Sequence, residues 1–149
     1  MVLYLQMMRV VIDTNIVIAG LYSRRGASFR VLEAALKNNI DYVVSPFVAL
    51  EYIGKVEEKM KAGLLGQPRE FYLAFIRALI EKGVQVQQPA LERPTLKDPT
   101  DDKILECALA GECSVILTFN TRDFPAKILK DYHIRAMDPG EFLRERRNR

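Results

Sequence analysis

Arg9-Val10-Val11-Ile12-Asp13-Thr14-Asn15 decides how this chain is read. Three β-branched residues in a row predict a short strand of a parallel sheet, covered on both faces, rather than an alternating, half-exposed one. Asp13 closes the strand. Thr14 and Asn15 open a helix that Ile16 to Leu21 continue. A carboxylate at the carboxyl end of a central strand lies where open α/β sheets place their sites, and burying it without a partner is costly. Asp is also a good helix N-cap. The stretch alone leaves Asp13 open between cap and ligand.

Working outward, strands and helices alternate. Ser28 can cap a helix through Asn38, with Phe29, Leu32, Ala35 and Leu36 at helical spacing. Residues 41–45 form a short strand. Pro46 suits the first position of a helix running to about Lys61, and Pro68 starts another that ends at Gly83 in the manner of a C′ residue. Val84-Gln85-Val86-Gln87 reads as an edge strand, and residues 88–97, with two prolines, as a loop. Asp98 caps the next helix, Pro99 starts it, and Asp101 and Asp102 sit in a first turn that favours negative charge. Ser114 to Thr118 is a second continuous apolar strand. Residues 124–130 form a short turn or helix, 133–137 a last strand, and Asp138-Pro139 open a terminal helix. The alternation predicts an α/β fold: a three-layer α/β/α sandwich around a mainly parallel sheet of about five strands.

At 149 residues the chain is expected to form one domain, 1–149, with residues 1–8 as an N-terminal extension or a lengthening of the first strand, and 140–149 as a basic C-terminal helix or tail. The start is open between Met1, Met7 and Met8. Hydrophobic residues make up 49% and charged residues 28%, an ordinary balance for a soluble globular protein. A net charge of +3 does not by itself imply nucleic acid, although Arg24-Arg25 and the arginine-rich end are locally basic. Cys107 and Cys113, with His133 as the sole histidine, make no zinc site. They read as reduced packing residues in a cytoplasmic protein without a membrane span.

Most acids lie on helix faces beside Lys or Arg. Asp13, Glu51, Asp98, Asp101, Asp102 and Asp123 instead fall at strand ends or helix starts, and Asn120 accompanies them. In a parallel sheet those places share one edge. Clustered carboxylates repel one another unless a cation neutralises them, and oxygen donors suit Mg²⁺ or Mn²⁺. Dipole and solvation reasons account equally well for Asp101, Asp102 and Glu51 taken singly.

Four pieces in order resemble a PIN domain, in particular the PIN-type toxins of toxin–antitoxin pairs (the VapC-like group). They are Val11-Ile12-Asp13-Thr14-Asn15; Ser45-Pro46 with Glu51; Asp98-Pro99-Thr100-Asp101-Asp102-Lys103; and Leu117-Thr118-Phe119-Asn120 with Asp123-Phe124. The resemblance implies Asp13, Glu51 and Asp102 as catalytic acids and metal ligands, with Asn120 at the fourth acidic position of the metal site. Asp101 is the rival of Asp102. The helical wheel sets Asp101 nearest the core face, whereas the run Lys103-Ile104-Leu105 favours Asp102 as the family's acid. Asn15 and Thr118 are then supporting groups that orient the carboxylates, and Asp123 compensates for Asn120.

By the same resemblance the chain is a Mg²⁺- or Mn²⁺-dependent endoribonuclease, a hydrolase of RNA phosphodiester bonds and the toxin of a toxin–antitoxin pair. Its expected partners are RNA, a cognate antitoxin and a second copy in a homodimer. Arg24, Arg25, Lys103 and Arg122 are candidate RNA contacts. Single-stranded or looped RNA is the expected target, because an A-form duplex hides its base edges. The sequence itself shows no dimer face; the helices around Phe47 to Met60 and Phe71 to Ile80 carry more apolar and aromatic residues than one core stripe needs, Tyr52 and Tyr72 among them, which leaves those open between core and an additional surface. The alternative is a PIN-fold RNA- or protein-binding domain with weak or no nuclease activity, because Asn120 brings no charge.

Overall fold

The computed structural model describes residues 8–87 and 96–147. The expected N-terminal extension, most of the 88–97 loop and the last two residues lie outside them. In chain order the elements are β1 (Arg9–Ile12), α1 (Thr14–Tyr22), α2 (Ala27–Leu36), β2 (Asp41–Val44), α3 (Pro46–Lys61), α4 (Arg69–Lys82), β3 (Val84–Gln85), α5 (Pro99–Ala110), β4 (Val115–Leu117), α6 (Ala126–Leu129), β5 (Arg135–Met137) and α7 (Pro139–Arg147). Short 3₁₀ turns flank α6 at Thr121–Asp123 and Lys130–Tyr132.

The five strands form one all-parallel sheet in the order β3-β2-β1-β4-β5. β1 is central, and Val10, Val11 and Ile12 stand opposite Val115, Ile116 and Leu117 of β4. All six are buried, so no alternation survives along either strand. That is the signature of strands with helices on both faces, and it makes the chain the three-layer α/β/α sandwich its pattern predicts.

The order of the strands matters for the site. From β1 the chain first builds outward through β2 and β3, then crosses back to add β4 and β5 on the other side. The switch falls between β1 and β4. Successive connections leave β1 and β4 in opposite directions there, which opens a crevice at the carboxyl ends of the two strands.

The local signals placed most elements. Ser45 Oγ accepts the Val48 N–H (3.2 Å) ahead of Pro46, and Asp98 Oδ1 accepts the Thr100 N–H (2.8 Å) ahead of Pro99. Both helices therefore start with a side-chain cap and a proline, as their sequences predict. Three details differ. Gly26, not Ser28, is the N-cap of α2, and Ser28 is buried in its first turn. Gly83 is extended (φ −73°, ψ 157°), not left-handed. A Cβ there would come within 2.6 Å of Val44 and 2.9 Å of Tyr42, so close packing of α4's end on β2 is what requires glycine. His133 is a left-handed residue (φ 59°) before β5, not part of the strand.

Tyr52 and Tyr72 are core residues rather than a spare surface. Tyr72 is 2% exposed and Tyr52 fully covered. Cys107 and Cys113 are buried free thiols. The basic end docks onto the body: Arg146 donates to the Asn39 carbonyl (2.8 Å), and Arg135 holds Glu145 through two bonds of 2.8 and 2.7 Å. No described helix is long and apolar enough to cross a membrane.

Candidate active site

β1 delivers Asp13 to the crevice, and β4 delivers the side chain that holds it. The Thr118 hydroxyl, fully buried, donates to Asp13 Oδ2 at 2.7 Å. Thr118 Oγ1 in turn accepts the Asn120 N–H at 3.1 Å and lies 3.4 Å from Asn15 Nδ2. Asn15 Oδ1 reaches the Phe119 N–H at 3.5 Å. Asn15 and Thr118 thus stitch the start of α1 to the loop after β4. Asp13 occupies the N-cap position of α1 but makes no side-chain cap bond. Its carboxylate is turned to the crevice instead. Burial raises its pKa, the Thr118 hydrogen bond and the Thr14 N–H lower it, and the charges of Asp123 and Glu51 raise it again.

A further residue, missed in the sequence, sets the end of β1. Tyr52 Oη donates to the Ile12 carbonyl at 2.5 Å, across the core from α3. It directly follows Glu51, so the bond ties the peptide before Asp13 to the turn that carries Glu51. An apolar stripe on a helical wheel shows that Tyr52 is buried but not what its hydroxyl meets.

Asp13, Glu51, Asp98, Asp101, Asn120 and Asp123 line one cleft of about 1040 Å³. Asp101 is pushed up to about 6, first by burial and then by the negative charges of Asp98, Asp123, Asp13 and Asp102. A carboxyl raised by four separate acids lies in a common field with them. Among the described residues, however, no three acids, histidines or cysteines are grouped tightly enough to hold an ion as they stand.

Asp102 has another role in the geometry. It is 7% exposed, does not line the cleft, and its Oδ1 accepts the Leu96 N–H at 2.8 Å. The helical-wheel reading had these neighbours the other way round. α5 is buried on most of its circumference, with Asp102 and Ile104 through Ala108 all covered. A wheel drawn from its apolar residues alone therefore does not find the inward face.

None of the four candidate RNA contacts is in the lining of the cleft, although Arg24 and Arg25 fall between its residues Ser23 and Gly26, and Arg122 precedes Asp123. The Arg24 guanidinium stacks over the Phe71 ring at 5.7 Å. Arg25 and Arg122 are exposed and outside the lining. Lys103 pairs with the buried Glu106 at 3.2 Å. The lysines in the lining of the cleft are Lys55 and Lys59 of α3.

The sequence of residues 9–122 matches a family model described as PIN domain, and the chain belongs to the PIN domain family. Members of that family are generally nucleases and generally use divalent metal ions. Among solved structures, the fold resembles VapBC2 from Rickettsia felis bound to a DNA fragment from their promoter. The TM-score is 0.56 at 14% identity, over 88% of this chain and 98% of that one. At that identity the likeness concerns the fold. No sequence among the curated proteins matches significantly.

Proposed function

We propose that this PIN domain is a metal-dependent endoribonuclease and the toxin of a toxin–antitoxin pair, acting in the cytoplasm. The observation that carries the reading is the convergence of Asp13, Glu51, Asp101 and Asp123 on one cleft at the sheet's switch point. In this proposal Asp101 replaces Asp102 as the third acid, because Asp101 faces the cleft while Asp102 is engaged with the Leu96 N–H. Asp123 supplies the charge that Asn120 lacks.

The donor set fits Mg²⁺ or Mn²⁺. All donors are hard oxygens, and Mg²⁺ is commonly held by one or two carboxylates with water and substrate phosphate filling the remaining positions. A loosely grouped set of acids suits that mode better than a closed protein cage. When bound, the metal supplies an activated water and charge stabilisation at the phosphate. Thr118 fixes the rotamer of Asp13, Asn15 and the Asn120 backbone fix Thr118, and Tyr52 fixes the backbone before Asp13. Burial first, and then the neighbouring acids, push Asp101 up to about 6, and a cation bound beside it would favour its ionised form.

The toxin reading, the antitoxin partner and a homodimer rest on the sequence resemblance together with the VapBC2-like fold. A PIN-fold binder of weak or no activity is the alternative, and Asn120 is what favours it. Titrating Mn²⁺ into the protein with a mixed RNA pool separates the two. Cleavage by wild type that Asp13→Asn or Asp101→Asn abolishes, while Asp102→Asn retains it in the folded fraction, is the expected result. Wild type cleaving no more than Asp13→Asn refutes the nuclease reading.

A further inference from the structure

The cleft extends well beyond its acids. From the sheet edge it continues between α1 and α3, whose residues Ile18, Ala19 and Tyr22 on one side and Glu51, Lys55 and Lys59 on the other line it. These spacings of three and four residues put each set on one helix face. Lys59 lies two turns beyond Glu51, ~12 Å along the helix axis. Two contacts orient the trough. Arg24, just past Tyr22, stacks on Phe71, and Arg69, two residues before Phe71, pairs with Glu57 of α3 at 3.0 Å. The carboxyl ends of α1 and α3 therefore lie together, and Tyr22 and Lys59 share the end of the trough away from the acids.

Two aromatic rings stand open in this cleft. Tyr22 is 68% exposed at its far end, and Phe119 is 49% exposed beside the acids, between Thr118 and Asn120. Neither is claimed by the core, although exposure of such rings to water is unfavourable. Lys59 has no carboxylate partner among the described residues, and Lys55 has only the exposed Glu58 at 3.4 Å. Open aromatic faces beside solvent-facing cations, along a groove, are the means by which proteins hold single nucleic-acid strands: bases stack on the rings and phosphates meet the cations. The acids of the lining are Asp13, Glu51, Asp98, Asp101, Asp123 and Asp138, where a cation would neutralise them; in the Tyr22 half of the trough a basic peptide segment would meet Lys55 and Lys59 as like charges. A duplex keeps its base faces stacked internally and offers nothing to the rings.

We infer that Phe119 and Tyr22 are base-stacking platforms at the two ends of a single-strand track, with Lys59, and Lys55 beside it, taking backbone phosphates. The strand enters over Tyr22, follows α3 and reaches the acids at Phe119. This rests on the nuclease reading for its substrate class, but its test does not require cleavage.

Fluorescence anisotropy of a fluorescein-labelled 12-nucleotide oligoadenylate, measured in EDTA so that no hydrolysis occurs, reads the track directly. Tyr22→Ala and Phe119→Ala are each expected to weaken binding roughly 5- to 100-fold, the usual worth of one stacked base. Tyr22→Phe is expected to bind as wild type, since stacking needs the ring and not the hydroxyl. Lys59→Ala is expected to lower the slope of log affinity against log salt by about 0.7, one phosphate on a single strand. A 12-base-pair RNA duplex is expected to bind more weakly and to be indifferent to Tyr22→Ala. Wild-type affinity in both aromatic-to-alanine variants overturns the inference. So does an unchanged salt slope in Lys59→Ala, or no oligonucleotide binding by wild type, as a trough built for a protein segment would give. Binding with these effects but no Mn²⁺-dependent cleavage sinks the nuclease reading alone. Cleavage that Asp13→Asn abolishes, with wild-type binding in Tyr22→Ala and Phe119→Ala, sinks the track alone.

Discussion

Thr118→Val tests the assembly of the site without touching its charges. Valine keeps the shape of threonine and removes the one oxygen that donates to Asp13 at 2.7 Å and accepts from Asn120 and, more distantly, Asn15. Thr118 is fully buried, so water does not replace the lost bonds easily. A hydrogen bond to an ionised group contributes about 1.5–3 kcal/mol, and one between neutral groups about 1 kcal/mol. The loss should therefore depend on the charge of Asp13. Burial raises the pKa of Asp13 in the folded chain, so its ionisation favours the unfolded state. Stability due to this group is greatest below its unfolded pKa near 4 and falls as pH rises through the folded value. The Thr118 bond limits that fall, and its removal deepens it. With the Asp13 and Asn120 bonds both lost, thermal melts in EDTA should show Thr118→Val lower than wild type by roughly 5–15 °C at pH 8 but only about 4–8 °C at pH 4, taking about 2–4 °C per kcal/mol for a chain of this size. A deficit that is the same at both pH values refutes the coupling between Thr118 and the Asp13 charge.

Four other substitutions probe three separate claims. Asp101, pushed up to about 6, loses folding free energy as pH rises from about 4 to 6, so Asp101→Asn should raise the metal-free melting temperature at pH 8 and leave it unchanged at pH 4; differential scanning calorimetry at the two pH values decides this, and a lower melting temperature at pH 8 contradicts the placement. Tyr52→Phe strips the donor from the buried Ile12 carbonyl and should cost about 1–2 kcal/mol in urea denaturation, together with a weaker Mn²⁺-induced rise in melting temperature because the Asp13 backbone is freed. Gly83→Ala forces a methyl against Val44 and Tyr42 and should cost about 1–3 kcal/mol, whereas Gly54→Ala, with nothing within 4 Å, should be neutral or stabilising by chemical denaturation.

The architecture was open to sequence reasoning because its determinants are local. β-Branched runs announce covered strands, Ser45-Pro46 and Asp98-Pro99 announce helix starts, and alternation of the two dictates a parallel sheet. The misreadings came where a local rule had two causes. Gly83 fits a helix stop and a close approach equally well, and only the positions of Val44 and Tyr42 distinguish them. Ser28 is as good a cap as any, yet the chain turns into the helix at Gly26, two residues earlier.

For the candidate site, the sequence by itself grouped Asp13, Glu51, the Asp98–Asp102 run, Asn120 and Asp123, with Asn15 and Thr118 in support, and the structure brings Asp13, Asn15, Glu51, Asp98, Asp101, Asn120 and Asp123 to one cleft. Strand ends and helix starts of a parallel sheet share an edge, so chain position alone brings these residues near one another. Tertiary structure decided which of two adjacent aspartates faces the cleft, because α5 is covered on nearly all sides and its polar residues, not its apolar ones, mark the opening. It decided that Thr118 holds Asp13 and that Tyr52 holds the strand before it, since both bonds join residues 40 or more positions apart. And it added two cations to the lining of the cleft, Lys55 and Lys59, that the sequence did not single out. Side-chain direction across the fold depends on how helices are rotated against the sheet, and that rotation is set by packing of the whole core, not by any short stretch of chain.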